Sequence, residues 1–348
     1  MLRPIASDDA VGNLRPLHSG GPSAVAKSEI FIKVKGKKRQ AQGVHIEGRT
    51  VAVRGRSIKI AAVCEEDLIE GHTIADPESF VTRLKQSDLR ADILTFAQRL
   101  PASEAKYQFH AEWENAAAIR VTTYQQWLNK SISTSARKSV NRAKRQGAVT
   151  RVVELNDDLL HSICRAYNET PVRQGKAFWH YGKSFEAVKR ELATYIDRSI
   201  FIGAYVGEEL IGWLKMTYVD SAAIITVIFS ISSHFDKKPN NLLIAKAVEI
   251  CEQDAKSYLV YGSYVYHNPN STLTEFKRRN GFEAIPLPRY YIPLTLKGKI
   301  ALRLGLHREL AAMVPKPLLR LFLKTRKIWM ERSLGREKSA STTAAVDD

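Results

Sequence analysis

Three groups of residues in this chain have the types and spacing to do chemistry. The first lies in residues 167–181, where Glu169, Arg173, Gln174, Lys176, Trp179, His180 and Tyr181 crowd one connection between helical patterns. A turn needs only small polar residues, whereas this stretch brings a carboxylate, a guanidinium and an imidazole among large aromatic rings. Such a set suits a loop closing over a polar acceptor, with His180 or Tyr181 passing a proton. The same rings also suit a long loop pinned to the core with its charges in water. The second group, Tyr264, Tyr266 and His267, follows the apolar run 258–262. The carboxyl end of a strand beside a helix start is a common place for reacting groups in α/β sheets. A phenol or imidazole there can protonate a departing thiolate or alkoxide, and aromatic packing under the sheet is the competing use. The third group, Ser230, Ile231, Lys237, Lys238, Asn240 and Asn241, precedes a strongly apolar helix. A helix N-terminus with two lysines suits a phosphate.

The elements that must position these groups follow from periodicity. From residue 148 the order reads βααβββαβαββ: a strand over 149–154, helices over 157–168 and 184–197, and strands over 200–206, 210–218 and 222–231. A helix over 240–255, a strand over 258–262, a short helix near Asn270 and strands over 283–285 and 290–294 complete it. This predicts an α/β (α+β) fold with a mixed, mainly antiparallel sheet covered on both faces. Residues 122–147 predict one long basic helix with Arg137, Lys138, Arg142, Lys144 and Arg145 and no acidic residue. The expected organisation is a disordered leader over 1–28 and a small mixed domain over 29–121. The main domain then spans 122–295, basic amphipathic helices 296–335, and a disordered tail 336–348. The main domain is expected to splay two middle strands into a cleft, with Tyr181 and Tyr264 on one face of the sheet.

Within 268–283 an Asn opens the short helix, Leu273 and Phe276 share a face, Gly281 closes it and Phe282 begins a strand. This stretch resembles the closing motif of the acyl-CoA N-acyltransferase (GNAT) superfamily. The resemblance implies direct attack of an amine on an activated acyl group, without a covalent enzyme intermediate. It also implies a donor site built from Ser230, Ile231, Lys237, Lys238, Asn240, Asn241, Asn270 and Lys277. Glu169, Arg173, Gln174, Lys176 and Trp179 would hold the acceptor, and His180, Tyr181, Tyr264, Tyr266 and His267 are the catalytic candidates. The chain departs from that pattern twice. The loop over 234–241 lacks the glycines that hold a coenzyme A pyrophosphate, and Lys277 stands where many members place a Tyr. Both departures, with the basic segment 135–147, resemble the Fem-type branch, whose donors are aminoacyl-tRNAs.

Composition bounds the rest. The 348 residues carry a net charge of +17, which favours polyanionic partners without choosing among them. Cys64, Cys164 and Cys251 are scattered in apolar contexts, as expected of small hydrophobes in a reducing compartment. With no Cys-x-x-Cys and no His-x-x-x-His, no metal is expected. No window approaches the ~18 apolar residues of a membrane span, so a cytoplasmic protein is expected. Between Lys297 and Lys338, twelve Lys and Arg face three Glu amid Leu, Phe and Trp, which suits peripheral contact with an anionic bilayer. The leading functional expectation is an N-acyltransferase with acyl-CoA as donor. A Fem-type transferase that uses aminoacyl-tRNA on a cell-envelope precursor is the first alternative. A nonenzymatic protein that binds nucleic acid or anionic membrane is the second.

Overall fold

The computed structural model describes residues 27–34, 37–173, 175–266 and 268–308. The leader, the tail and most of the basic helices expected beyond residue 308 lie outside these residues, as do Gln174 and His267.

Twelve strands share one sheet. In chain order they are β1 (Ser28–Val34), β2 (Lys37–Ile46), β3 (Arg49–Arg54), β4 (Ile60–Val63), β5 (Ile93–Ala97) and β6 (His110–Arg120). There follow β7 (Ala148–Val153), β8 (Ser199–Val206), β9 (Glu209–Val219), β10 (Ala222–Ser230), β11 (Tyr258–Ser263) and β12 (Glu283–Pro293). The spatial order is β1-β2-β3-β4-β5-β12-β6-β11-β10-β9-β8-β7. The sheet therefore runs without a break across residue 121, because β12, the last strand among the described residues, inserts between β5 and β6.

The principal helices are α1 (Pro77–Gln86), α2 (Thr134–Arg145), α3 (Asp157–Tyr167), α4 (Phe185–Leu192), α5 (Pro239–Gln253), α6 (Thr272–Arg279) and α7 (Leu296–Arg303). Helix α5 buries Leu242, Leu243, Ile244, Ala247 and Val248 against Ile202, Leu214, Met216 and Leu259, and the buried face of α2 joins the same core. Helices α3 and α4 cover the other face over Phe201, Trp213 and Phe229. A separate cluster under α1 packs Phe80 and Leu84 on Val51, Phe96 and Tyr290.

Several boundaries differ from expectation, each for a local reason. The long helix over 122–147 is interrupted. A short helical stretch over 124–131 ends at extended Ile132, and Ser133 starts α2 afresh by accepting the Ala136 N–H at 3.1 Å. Ile132 and Trp127 turn inward at the break, where the Trp127 indole donates to the Asn280 carbonyl at 3.1 Å. The helix expected to reach residue 197 stops at Leu192, because Lys215 projects from β9 and bonds the Leu192 and Thr194 carbonyls. Ser271, rather than an Asn, caps α6 by accepting the Thr274 N–H at 3.1 Å. The two final strands are one. The carbonyl of Pro288 points toward the β5 side, where it accepts the Gln98 N–H, and ladder pairing with β5 begins only at Arg289. The prolines at 286 and 288 thus lack an N–H on the side where none is required.

One relation positions the site. Strands β10 and β11 are parallel and pair only at Ala222↔Tyr258, Ala223↔Leu259 and Ile224↔Val260. β10 continues to Ser230 without β11 beside it, so the sheet opens between them as expected.

Candidate active site

A buried lysine reaches from α6 to the end of β11. Lys277 is completely buried; its Nζ donates to the Ser263 carbonyl at 2.7 Å and lies 4.4 Å and 4.9 Å from the ring centres of Tyr261 and Tyr266. Burial lowers its pKa from 10.5 to about 8. The Tyr266 hydroxyl fills the space beside Gly262, 2.3 Å from where a Cβ would stand, and the Ser263 backbone N–H holds it. Burial of that hydroxyl raises its pKa, although much of the ring remains exposed. Burial likewise pushes Tyr261 up to about 12.

Gly262 and Ser263 also floor a cleft of about 260 Å³ on the far side of the sheet. Its walls come from segments distant in sequence: Asp67, Arg99, Glu114, Asp220 and Arg289. Arg289 is held between Glu114, at 2.5 Å, and Glu66, which also accepts the Ala97 N–H. Burial works against the Arg289 charge, but the two carboxylates outweigh it and raise its pKa. Asp67 opens into the cleft yet is ringed by protein. That enclosure, with Glu66 beside it, raises its pKa against the pull of Arg289. Arg99 donates to the Gly71 carbonyl and lies 3.9 Å from Asp220. Four carboxylates, Asp67, Glu66, Glu114 and Asp220, thus meet two guanidinium groups in this region of a strongly basic chain. The same Asp67 acts electrostatically on the Tyr266 phenol, which links the two faces of the opening.

The loop over 168–183 and the turn after β10 come together. The Glu169 carboxylate accepts the N–H groups of Ser232 and Ser233 at 2.8 Å and 3.0 Å; burial would raise its pKa, but these two donors hold it down. Arg173 donates to the Ser230 carbonyl at 2.9 Å with its guanidinium 4.2 Å from the Phe229 ring centre, and burial lowers its pKa. Ile231 closes the turn by donating to the Ile211 carbonyl at 3.0 Å. Lys176 pairs with Arg173 in a two-strand ladder. Glu169 and Arg173 thus brace the loop onto the end of β10, which takes up two of the polar groups that suggested a binding role.

His180 does not line the cleft. It is buried, stacked 4.1 Å from Tyr167, with Nδ1 3.2 Å from the Lys183 Nζ. Trp179 and Tyr181 turn outward on the α3–α4 side, whereas Tyr264 packs against the α5 core. Tyr181 and Tyr264 therefore do not share a face, contrary to expectation, because the loop docks through its own Phe178 on Phe229 rather than over β11.

On the donor side, Lys238 takes a left-handed conformation and Pro239 opens α5. Pro239 has no N–H, and those of Asn241 and Leu242 turn back to the Lys238 carbonyl at 3.1 Å and 3.4 Å. Few remain for a pyrophosphate. Asn241 bonds the Asn280 side chain at 2.9 Å, the Asn240 Oδ1 is buried without a partner, and Lys237 meets His234 at 3.2 Å. Asn270 belongs to the turn before α6, where it donates to Asn268 Oδ1 at 3.0 Å. A groove of about 350 Å³ runs between α2, α5 and α6, lined by Ser135, Ser139, Lys238 and Arg279. Beside it, Lys138, Arg142, Lys144 and Arg145 stand exposed on α2.

Among the described residues one cluster has metal-ligand types in reach of one another: His110, Glu112 and His307, within 4.8 Å. Here the Glu112 Oε1 is engaged by His307 at 2.7 Å and by Arg308 at 2.8 Å, while the His307 Nδ1 is buried without a partner.

From β7 to β12 the order of elements is the expected one with its last two strands merged, and the parallel pair is splayed in mid-sheet. The fold is α/β with a mixed, mainly antiparallel sheet, consistent with the GNAT type. No protein-family model matches this chain, and no curated protein does. Among solved structures it is similar to a C-terminal domain from Agrobacterium fabrum whose name places it with lysylphosphatidylglycerol synthetases. That likeness has 14% identity and a TM-score of 0.48 over 76% of this chain and 87% of that one. It is also similar to FemX, with 9% identity and a TM-score of 0.46 over 80% and 90% of the two chains. A third is L-PGS from Bacillus licheniformis, with 13% identity and a TM-score of 0.44 over 70% and 80%.

Proposed function

We propose that the protein transfers an acyl group from a polyanion-borne ester to an amine, through the opening between β10 and β11. The observation that carries this reading is the cleft of carboxylates floored by Gly262 and Ser263 where β11 parts from β10, with the buried Lys277 ammonium on the Ser263 carbonyl behind it. A buried cation without a bonded carboxylate is costly, and such groups cluster where negative charge develops during reaction.

In this reading the amine arrives as an ammonium, drawn to the carboxylates of the cleft. Asp67, whose pKa is raised, takes its proton. The free amine attacks the donor carbonyl, and the positive charge of Lys277, held behind Ser263, favours the oxyanion of the tetrahedral adduct through space. The C–O bond of the ester then breaks, the Tyr266 phenol gives its proton to the departing alkoxide, the phenolate takes back the extra proton carried by the adduct nitrogen, and an amide is released. No enzyme nucleophile is needed.

The donor side favours aminoacyl-tRNA. The exposed cations of α2 border the groove, and the start of α5 offers few N–H groups to a pyrophosphate. A coenzyme A thioester is the second reading, favoured by Lys238 and Arg279 facing the same groove. A binding titration at several salt concentrations separates them. Aminoacyl-tRNA binding that weakens steeply with salt, and weakens further in Lys138→Glu/Arg142→Glu, is the expected result. Saturable coenzyme A binding unaffected by that variant would replace the donor. Failure to bind either, with no transfer to any amine, would remove the transferase reading.

A further inference from the structure

Helix α7 has two apolar faces where a surface helix ordinarily has one. Its inner face is pressed onto the sheet: a Cβ on Gly298 would lie 1.9 Å from the Asp92 carbonyl oxygen, and Ala301 is buried. Thr295 caps it by accepting the Gly298 N–H at 3.0 Å while donating to Asp92 at 3.0 Å. On the outer side Leu296, Ile300 and Leu304 follow at i, i+4 and i+8, and they are 75%, 50% and 63% exposed. Leu306 extends the strip. A ladder of large aliphatic residues in water is uncommon on a monomer unless something covers it.

The charges carried by the helix and its flanks are of one sign, with Asp92 and Glu112 meeting them from the sheet. Lys299 and Arg303 are exposed beside it, and the segment 294–308 contains no Asp or Glu. This selects among occupants. Residues 309–348 hold eight Lys and Arg against five Asp and Glu, so the chain's own C-terminal segment brings more positive charge to a positive surface. A second copy docking α7 on α7 has the same defect. A nucleic acid matches the charge but leaves the aliphatic ladder in water. An anionic bilayer satisfies both, taking leucine and isoleucine into its acyl boundary and the cations at its phosphates.

We propose that the outer face of α7 is a docking surface for an anionic phospholipid bilayer, lying on the membrane rather than crossing it. No helix among the described residues is long and apolar enough to cross one. His307 and Arg308 tie the end of α7 to Glu112, two residues along β6 from Glu114 of the cleft, so the docked face lies near the proposed acceptor side. The inference does not depend on the transfer reaction.

The test is co-sedimentation of the full chain with phosphatidylglycerol-containing vesicles and with pure phosphatidylcholine vesicles. Partitioning to the anionic vesicles alone is expected, weakened by salt. Leu296→Glu/Ile300→Glu/Leu304→Glu should lower it roughly tenfold or more, and Lys299→Glu/Arg303→Glu should also lower it. If the triple variant loses its thermal transition, Leu304→Glu, placed beyond the last helical turn, serves instead. Unchanged partitioning of the apolar variants, or no partitioning by the wild type, would overturn the proposal. So would a wild-type dimer that the apolar variants split, which would make a second copy the occupant.

Discussion

The Tyr266 hydroxyl occupies the volume that a side chain at Gly262 would need, 2.3 Å from the ideal Cβ position. Gly262 has φ +56°, so the glycine both permits the backbone turn and leaves room for the phenol behind the floor of the cleft. In Gly262→Ala the methyl displaces the hydroxyl, the flexible end of Tyr266, more readily than it displaces backbone. Transfer should fall about a hundredfold from misplacement of the reacting group. Stability should fall by only about 1–2 kcal/mol for the left-handed alanine. Tyr266→Phe should show the same loss of transfer without the stability loss. Single-turnover transfer and thermal melts separate the two, and full transfer by Tyr266→Phe would show that the phenol gives no proton.

Lys277 should be a residue that function retains against stability. Its folded pKa of about 8 lies below its ordinary 10.5, so between those values the unfolded chain binds more protons and stability rises with pH. The cost of burying the ammonium is therefore greatest below pH 8 and is relieved toward pH 10.5. Lys277→Met should be more stable than wild type at pH 7, by up to about 3 kcal/mol, with the difference closing across that window. Its transfer rate should fall by roughly 10²–10³-fold through loss of oxyanion stabilisation. Denaturant unfolding of both proteins from pH 7 to 10.5 checks this. Lys215, also pushed down to about 8, is common to both and cancels in the difference. A variant less stable than wild type at pH 7 would assign Lys277 a structural role instead.

Much of the domain was legible because its signals are local. The apolar stripe of α5, the crowded strands β8 to β10 and the pattern from Ser271 to Phe282 each lie within one stretch of chain. Tyr266 and Lys277 could therefore be named as candidates from the sequence. The carboxylate side of the cleft was not, because Asp67, Glu114, Asp220 and Arg289 are brought together only by the placement of β12 between β5 and β6. Arg289 left one faint trace, a charged residue in an apolar-alternating strand. His180 misled for the opposite reason. Imidazole beside Trp and Tyr reads as chemistry in a loop, yet here the ring stacks on Tyr167 as core.

Asp67 provides a separate pH test. Its carboxyl titrates above the ordinary 3.8 because of its enclosure and the adjacent Glu66, so the base is lost on acidification earlier than for a free aspartate. The acid limb of the transfer rate should therefore lie above that value and should vanish in Asp67→Asn, which should retain donor binding. The rate in that variant should fall roughly 10²–10⁴-fold. Persistence of the same acid limb in Asp67→Asn would move the base elsewhere.

Glu169 is expected to hold structure rather than substrate. Its pKa lies below the ordinary 4.5, so it contributes stability that is present above that value and is lost as pH falls through its folded value. The side chain is largely exposed, so the two backbone bonds it accepts contribute about 1 kcal/mol after solvent screening. Glu169→Ala should therefore lower stability by that amount at pH 7 and approach wild type at strongly acid pH. Without the carboxylate, the loop over 168–183 keeps Arg173 on the Ser230 carbonyl but loses its second anchor to the turn after β10. Limited trypsin digestion should then cut faster at Arg173 and Lys183, while transfer by the uncut protein should change less than threefold, within the range of a surface substitution. A large loss of transfer with unchanged digestion would return Glu169 to the acceptor site.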